Sequence, residues 1–163
     1  MLCARSGLAG TLFAWVAVAC GAEPNPCGPA RATVARVIDG DTVELEGGER
    51  VRYLLVDAPE ITHGKNACFG AESREYNRSL VEGRRVDLLY EPRCRDRYDR
   101  LLAFVQLDDV DVNAALVRGG YACVLHIPPD GDARVGAFRS LEAQARTHAE
   151  GLWRACQTRP CGR

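Results

Sequence analysis

The sequence predicts a mainly β domain with α-helices (α+β class), in which a small five-stranded barrel carries about three packed helices. Two observations lead to this prediction. Five short segments alternate apolar and polar residues between turns, and three other segments space their apolar residues as helices do. With 163 residues, 47% of them hydrophobic and 26% charged, the chain suits one folded domain and is not disordered in composition.

The first three predicted strands follow one another closely. Residues 33–39 and 42–46 are strand-like on either side of the turn Gly40-Asp41, so we expect them to pair as a hairpin. Gly47-Gly48 supplies the next turn. Residues 50–56 form the third predicted strand, which the Asp57-Ala58-Pro59 sequence ends.

Helices and strands alternate in the remainder. Residues 71–81 are predicted to be helical, and residues 85–90 and 101–107 are two more strands on either side of a charged loop, 91–100. Helical spacing returns after residue 112 and ends at Gly119-Gly120, and residues 121–127 are predicted to be extended. Phe138, Leu141 and Ala145 mark a last helix, which Gly151 closes. Five short strands interrupted by helices are typical of the OB-fold barrel.

The N-terminus predicts export. Arg5 precedes an uncharged apolar run, residues 8–19, which is too short to span a bilayer comfortably and ends in small residues. We therefore interpret residues 1–22 as a signal peptide cleaved near residues 19–22, and the Pro/Gly-rich residues 23–31 as a linker. The alternative is a lipoprotein signal, in which Cys20 would be lipidated and would anchor the protein to a membrane.

Export changes the interpretation of the eight cysteines. Cys3 and Cys20 fall in the leader, and an even number remains in an exported chain, which predicts disulfides. Several pairings are possible, and the sequence alone does not choose among them. A zinc site is disfavoured because no CxxC spacing occurs. The disulfide candidates are Cys27, Cys68, Cys94, Cys123, Cys156 and Cys161.

The charge of the chain limits how it could bind a partner. The net charge is −1, from 21 Lys+Arg and 22 Asp+Glu, which excludes a protein that coats DNA through bulk positive charge. Lys65 is the only lysine, so almost every cation is an arginine. A guanidinium can hold a phosphate through two parallel hydrogen bonds, so local arginines could still bind a nucleic acid.

Three charged motifs contain the candidate chemistry. Residues 39–42 read Asp-Gly-Asp-Thr, residues 52–60 carry Arg52 followed by Asp57 and Glu60, and residues 96–100 read Asp-Arg-Tyr-Asp-Arg. Each motif has an ordinary explanation when taken alone: a hairpin turn, strand-end charges, and a solvated loop with salt bridges.

Taken together and in this order, the three motifs closely resemble the pattern of the staphylococcal-nuclease-like (thermonuclease) family. The resemblance extends over residues 32–153 and leaves residues 154–163 as a Cys-containing C-terminal tail. It implies an OB-type barrel with three helices. It also implies calcium-dependent hydrolysis of phosphodiester bonds in DNA and RNA that leaves 3′-phosphate ends.

The resemblance also implies roles for individual residues. Asp41, Asp57 and the backbone carbonyl of Ala58 match the Ca²⁺ ligands, and oxygen donors are what that hard ion prefers. Glu60 matches the candidate general base. The remaining matches contact the substrate: Arg52 and Arg100 hold the scissile phosphate, and Arg97 and Tyr98 contact a neighbouring phosphate.

Some positions depart from the family pattern. Ala58 replaces the usual threonine, which costs little where only the carbonyl is needed, and Asp99 replaces glycine and adds a negative charge near a phosphate site. His126 and Pro128 replace tyrosines of the base pocket in the founding member, so base preference cannot be transferred.

The implied fold also suggests a disulfide pattern. It places Cys68 and Cys94 beside the same cleft, which predicts a Cys68–Cys94 bridge. We expect Cys156 and Cys161 to close a small C-terminal loop, which leaves Cys27 to pair with Cys123. Separately, we expect a monomer.

Two other function classes remain open: an OB-fold module that binds nucleic acid without cutting it, and an exported disulfide-rich interaction domain. The complete set Asp41, Arg52, Asp57, Glu60 and Arg100 favours the enzyme.

Overall fold

The computed structural model describes residues 27–62 and 64–161. The predicted signal peptide with Cys20, and residues 23–26 of the predicted linker, lie outside the described residues. In chain order the elements are β1 (Arg31–Asp39), β2 (Thr42–Leu45), β3 (Arg50–Tyr53), β4 (Leu55–Asp57), α1 (Gly70–Val81), β5 (Arg85–Arg95), β6 (Leu101–Leu107), β7 (Val110–Asp111), α2 (Val112–Arg118), β8 (Cys123–Leu125), α3 (Val135–Thr147) and α4 (Leu152–Ala155). None of the described helices is long and apolar enough to cross a membrane.

Five strands form a closed barrel. Antiparallel pairings join β3 to β2, β2 to β1, β1 to β5 and β5 to β6. A parallel pairing between β3 and β6, with Val51 opposite Leu101, closes the ring. This mixed five-stranded barrel with packed helices confirms the predicted OB-fold and α+β class.

Alternation along the strands fills the barrel. Val34, Val43, Val51, Val86 and Leu101 are fully buried, one from each strand. Successive strand residues point to opposite faces, and some neighbours of these residues, such as Arg50 and Arg85, are exposed. Burying a side chain of this size stabilises a fold by about 1.5–3 kcal/mol, so these residues account for much of the barrel's stability.

Helix α1 packs a partly polar face against the barrel. Tyr76 and Leu80 are half-buried and pack against the core, whereas Ser73, Asn77 and Val81, at intervals of four, are buried. Their polar groups are hydrogen-bonded, as burial requires. Asn77 accepts from the Tyr53 hydroxyl (3.1 Å) and donates to the Asp39 carbonyl (3.2 Å). The helix therefore fixes the β1–β2 turn.

The predicted strand over residues 50–56 is wrong in one respect, because the chain breaks at Leu54. Leu55 has φ 61°, the left-handed conformation, which ends the extended chain after Tyr53. Segment β4 then leaves the barrel and pairs with β8, with Asp57 opposite Cys123. This turn places Asp57 beside Arg52 rather than in line with it.

Two other elements of the structure differ from the prediction. Strand β5 continues to Arg95, beyond the predicted end at residue 90, so the charged loop is only a tight turn before β6. The short helix α4 follows Gly151 and was not predicted.

The predicted disulfide pairings, Cys68–Cys94, Cys156–Cys161 and Cys27–Cys123, are wrong. The structure joins Cys27 to Cys94, Cys68 to Cys156, and Cys123 to Cys161. The extension of β5 carries Cys94 to the N-terminal segment, where its Cα lies 4.8 Å from that of Cys27. Helix α4 brings Cys156 back to the loop after Glu60, where Cys68 lies.

Candidate active site

Asp41 lies buried at the start of β2, and hydrogen bonds orient its carboxylate. The Asp39 side chain accepts from the Asp41 backbone N–H (3.0 Å) and shapes the turn. The Thr42 hydroxyl donates to Asp41 Oδ1 (3.0 Å), and the Ala58 backbone N–H donates to Asp41 Oδ2 (2.7 Å). The last of these bonds fastens the end of β4 to the turn before β2.

Arg52 lies between the two carboxylates that the sequence singled out. Its Nη2 is 3.1 Å from Asp41 Oδ2 and 3.5 Å from Asp57 Oδ1, and its side chain is only 8% exposed. Its Nη1 donates to the carbonyls of Tyr53 and Val56, at 2.9 Å and 2.5 Å. A buried guanidinium is stable only when paired and hydrogen-bonded in this way. Arg52 thus holds both carboxylates and the β3–β4 turn in one arrangement.

Glu60 lies in the loop after β4 and is oriented by its own loop. Its carboxylate accepts from the backbone N–H of Thr62 (2.8 Å) and from the Thr62 hydroxyl. The Glu60 carbonyl accepts from the Ala67 backbone N–H (3.0 Å), which closes the loop. The carboxylate therefore has a defined direction.

Arg100 is held by the tight turn between β5 and β6. The Asp96 carboxylate accepts from Arg100 Nε (2.8 Å) and Nη2 (2.6 Å), and from the backbone N–H groups of Tyr98 and Arg100. Asp99 has φ 62°, a conformation that Asp adopts more readily than most residues, so the turn forms although glycine is absent. Burial disfavours the charged form of Asp96, but the bonds from Arg100 and Tyr98 hold its pKa below the ordinary value.

Arg97 and Tyr98 lie at the exposed tip of this turn. Tyr98 is 59% exposed, and Arg97 Nη2 donates to its hydroxyl (2.7 Å). The guanidinium carbons of Arg97 and Arg100 lie 4.8 Å and 5.4 Å from the Tyr98 ring centroid, within cation–π range. The ring keeps two guanidinium groups together at the surface.

These residues line two adjoining pockets. The inner pocket, about 260 Å³, is lined by Asp39, Asp41, Arg52, Asp57, Ala58, Glu60, Lys65, Arg100 and Pro160. The outer pocket, about 730 Å³, contains Arg97 and Tyr98 and is walled by Leu54, Leu55, Val124, Leu125 and Ile127. Arg52, Asp57 and Arg100 line both, so the pockets form one continuous cleft. The structure thus brings together all eight predicted site residues.

The oxygen donors of the inner pocket suit a hard cation. It contains the carboxylates of Asp41, Asp57 and Glu60 together with the Ala58 segment, all of them oxygen donors of the kind that Ca²⁺ and Mg²⁺ take. Among the described residues, no three His, Cys, Asp or Glu side chains converge closely enough to be a ready-made metal cluster. Burial and, after it, the Asp41 carboxylate raise the pKa of Asp39 to about 7, so Asp39 keeps its proton more readily than an exposed aspartate does.

Several residues of the cleft carried no sequence signal. Arg93 lines the outer pocket and is fixed by Asp130, which is almost fully buried and accepts from Arg93 Nε (2.7 Å). Arg159 and Pro160, in the C-terminal tail, line the outer and inner pockets. The tail reaches the cleft through its disulfides, whose pairing the sequence did not give. Ile127 contributes to the outer pocket, while the neighbouring His126 pairs with Asp132 (2.7 Å).

Sequence comparisons show which known proteins this chain resembles. The sequence profile of the family described as "Staphylococcal nuclease homologue" matches residues 50–155. Endonuclease YncB of Bacillus subtilis (strain 168) is 34% identical over 128 residues, which are 74% of this chain and 60% of that protein. The SPbeta prophage-derived endonuclease YokF of the same strain is 31% identical and is covered over 43% of its length.

A third relative is similar in size to this chain. A protein named "Uncharacterized endonuclease" from Escherichia coli O157:H7 is 34% identical over 149 residues, which are 87% of this chain and 84% of that protein. By contrast, this chain spans less than two thirds of the length of both Bacillus relatives.

Proposed function

Because the chain belongs to the staphylococcal nuclease homologue family, we propose that it is a calcium-dependent nuclease that hydrolyses phosphodiester bonds of DNA and RNA. One observation carries the proposal. One pocket of about 260 Å³ is lined by residues from three separate segments: Asp41, Arg52, Asp57, Glu60 and Arg100. Each side chain is held there by hydrogen bonds or ion pairs to its surroundings.

Asp41, Asp57 and the Ala58 carbonyl would hold the cation. So few protein ligands leave coordination positions for water and a phosphate oxygen, which suits a catalytic ion. The bound cation would supply positive charge that stabilises the phosphate as negative charge develops on it. Arg52 already balances part of the charge of both aspartates, so the carboxylates keep their positions without the ion.

The two arginines would stabilise the reacting phosphate. Guanidinium donors fixed before the reaction favour the charge that develops on the phosphate oxygens. Arg52 approaches from the buried side of the pocket, and Arg100 approaches from the β5–β6 turn. A guanidinium has five N–H donors, so the bonds to Asp96 leave donors on Arg100 for a phosphate.

Glu60 would act on the attacking water. The Thr62 bonds orient the Glu60 carboxylate, which can accept the proton of a water molecule that attacks phosphorus. We propose that the bond between phosphorus and the 5′ oxygen then breaks, that the 5′ oxygen takes up a proton from solvent and leaves as a hydroxyl, and that the other product keeps a 3′-phosphate end, as the family resemblance implies.

Export and assembly are further parts of the proposal. The signal-like residues 1–22 support export to the periplasm or outside the cell, and so do three disulfides, because such bonds persist in oxidising compartments. Cleavage and lipidation at Cys20 can be separated by N-terminal mass spectrometry of the exported protein. We also propose that the protein acts as a monomer, which light scattering would test.

A cleavage assay tests the activity. Wild type, Glu60→Gln and Glu46→Gln are incubated with DNA and RNA in Ca²⁺, in Mg²⁺ and in chelator. Glu46 is exposed at the β2–β3 turn and serves as the matched control. We expect cleavage in Ca²⁺, loss of cleavage in chelator, and a decrease of about 10²–10⁴-fold in Glu60→Gln only. Full cleavage in chelator would contradict the metal requirement, and binding without cleavage would favour a non-catalytic module.

A further inference from the structure

Within the C-terminal tail, residues 156–161 are fastened at both ends to the segments that carry the catalytic residues. Cys156 is bonded to Cys68, in the loop that follows Glu60. Cys161 is bonded to Cys123, which lies opposite Asp57 in the β4–β8 pairing. The tail is therefore held against the cleft covalently.

The tail supplies two residues to the cleft. Pro160 lines the inner pocket, and Arg159 lines the outer pocket. Arg159 Nη2 is 3.3 Å from Glu142 Oε1, and the Arg159 side chain is 44% exposed. The same Glu142 oxygen accepts from the backbone N–H of Val124 (3.1 Å), so the carboxylate that orients Arg159 is itself fixed to β8.

The surroundings of Arg159 suit a polyanionic strand. Arg97, from the β5–β6 turn, and Arg159, from the tail, line the same pocket as the apolar side chains of Val124 and Ile127. Cations beside apolar surfaces are what a nucleic-acid strand needs, since phosphates bind the cations and bases cover the apolar groups. With a net charge of −1 for the chain, binding has to come from such local cations.

We propose that the tail is a fixed wall of the substrate cleft, and that Arg159 binds a phosphate of the nucleic-acid strand beside the scissile one. The inference rests on the proposed nuclease function and adds a binding residue to it. The Cys123–Cys161 bond and the ion pair with Glu142 keep Arg159 in the lining of the outer pocket. A guanidinium has five N–H donors, so this ion pair leaves donors for the phosphate.

Binding of a single-stranded DNA oligonucleotide tests the assignment. The full chain carrying Glu60→Gln binds without rapid cleavage, and fluorescence anisotropy gives Kd over a salt series. We expect Arg159→Gln to raise Kd about two- to fivefold, as for a partly exposed ion pair. The slope of log Kd against log salt should fall by about 0.7, the contribution of one phosphate contact.

Two controls distinguish binding from a structural role. Arg159→Lys keeps the charge and should retain the slope. Arg84→Gln removes an exposed arginine that lines neither pocket and should leave Kd and slope unchanged. If Arg159 had only a structural role, Arg159→Gln would lower the melting temperature and leave the slope of log Kd against log salt unchanged. That result would overturn the inference.

A double-mutant cycle tests the role of the disulfide. In the Cys123→Ala/Cys161→Ala background the end of the tail beside Arg159 is released, while Cys156 stays bonded to Cys68, so Arg159→Gln should add no further increase in Kd. A full effect of Arg159→Gln in that background would contradict the role of the tether. If the protein without Glu60→Gln cuts DNA but Arg159→Gln changes neither Kd nor slope, the inference fails and the nuclease stands. If that protein neither cuts nor binds, the proposed function itself fails.

Discussion

Arg52 and Arg100 have the same predicted role, which is to hold the scissile phosphate, but their surroundings differ. Arg52 is 8% exposed and interacts with two carboxylates and two carbonyls, whereas Arg100 is 20% exposed and interacts mainly with Asp96. Removing one partner from a buried ion pair leaves an uncompensated charge, while a pair near the surface contributes little. The same substitution should therefore affect the two positions differently.

We predict that Arg52→Met lowers the free energy of unfolding by about 3–5 kcal/mol, because Asp41 and Asp57 both lose their buried ion pair with Arg52. Arg100→Met should lower it by about 1 kcal/mol or less. Both variants should lose about 10²–10³-fold in kcat, because each removes a donor to the phosphate. Urea unfolding and single-turnover cleavage measure the two quantities. Equal destabilisation would show that Arg52 is not the buried link between the carboxylates.

The lowered pKa of Asp96 makes the stability of the protein depend on pH. Its pKa in the folded protein lies below the ordinary value of 3.8, so the folded state releases its proton more readily than the unfolded state. The resulting stabilisation is present above about pH 4 and is lost as the pH falls through the folded pKa. Asp96→Asn should therefore destabilise the protein at pH 6, and the difference from wild type should shrink near pH 3.

Urea unfolding at both pH values measures that difference. Asp109→Asn removes an exposed carboxylate near the β6–β7 turn and serves as the matched control. A difference for Asp96→Asn that stayed constant between pH 6 and pH 3 would show that the contacts with Arg100 and Tyr98 do not stabilise the ionised carboxylate.

Contact between helix α1 and the β1–β2 turn positions Asp41. A Cβ atom added at Gly40 would lie 2.0 Å from Ser73 Oγ and 2.5 Å from Ala58 Cβ, so the helix packs directly on the turn. At Gly47, in the next turn, an added Cβ meets nothing within 4 Å. The two glycines form a matched pair in which only one is packed.

We predict that Gly40→Ala destabilises the protein by about 1–3 kcal/mol, the range for overpacking a tight contact. It should also reduce cleavage, because the turn must move away from α1 and carries Asp41 with it. Gly47→Ala should leave stability and cleavage close to wild type. Thermal unfolding and kcat measure both. A neutral Gly40→Ala would mean that α1 does not fix the turn.

The sequence predicted most elements because their signals are local. Alternation in the barrel strands and helical spacing in α2 and α3 depend on neighbouring residues alone. The break at Leu54 could not be predicted in this way, since no glycine or proline marks it and the bonds of Arg52 to Tyr53 and Val56 fix it instead. The end of β5 was missed for a similar reason. Its pairing with β6 skips from Tyr90 to Arg95 through an irregularity.

At the scale of the whole molecule, the sequence predicted which motif residues form the candidate site but not how the chain arranges them in space. The order of the three motifs identified Asp41, Arg52, Asp57, Glu60 and Arg100, and the structure places them in one pocket. The contribution of the tail depends on which cysteines meet, and that depends on the position of β5 and α4 in space. Arg159 and Pro160 therefore had no signal in the sequence.

The Cys27–Cys94 disulfide should stabilise the fold without contributing directly to cleavage. The Cys27–Cys94 bond closes a loop over a sequence separation of 67 residues and ties the N-terminal segment to β5. Loss of such a bond from a small domain costs about 2–5 kcal/mol, mostly because the unfolded chain gains freedom. We expect Cys27→Ala/Cys94→Ala to lose that much in urea unfolding while keeping most of its kcat, since neither cysteine lines the inner pocket. Peptide mapping of the oxidised wild type should recover the pairs Cys27–Cys94, Cys68–Cys156 and Cys123–Cys161. A Cys68–Cys94 peptide would contradict both this pairing and the fixed tail, because it would release Cys156 from the loop after Glu60.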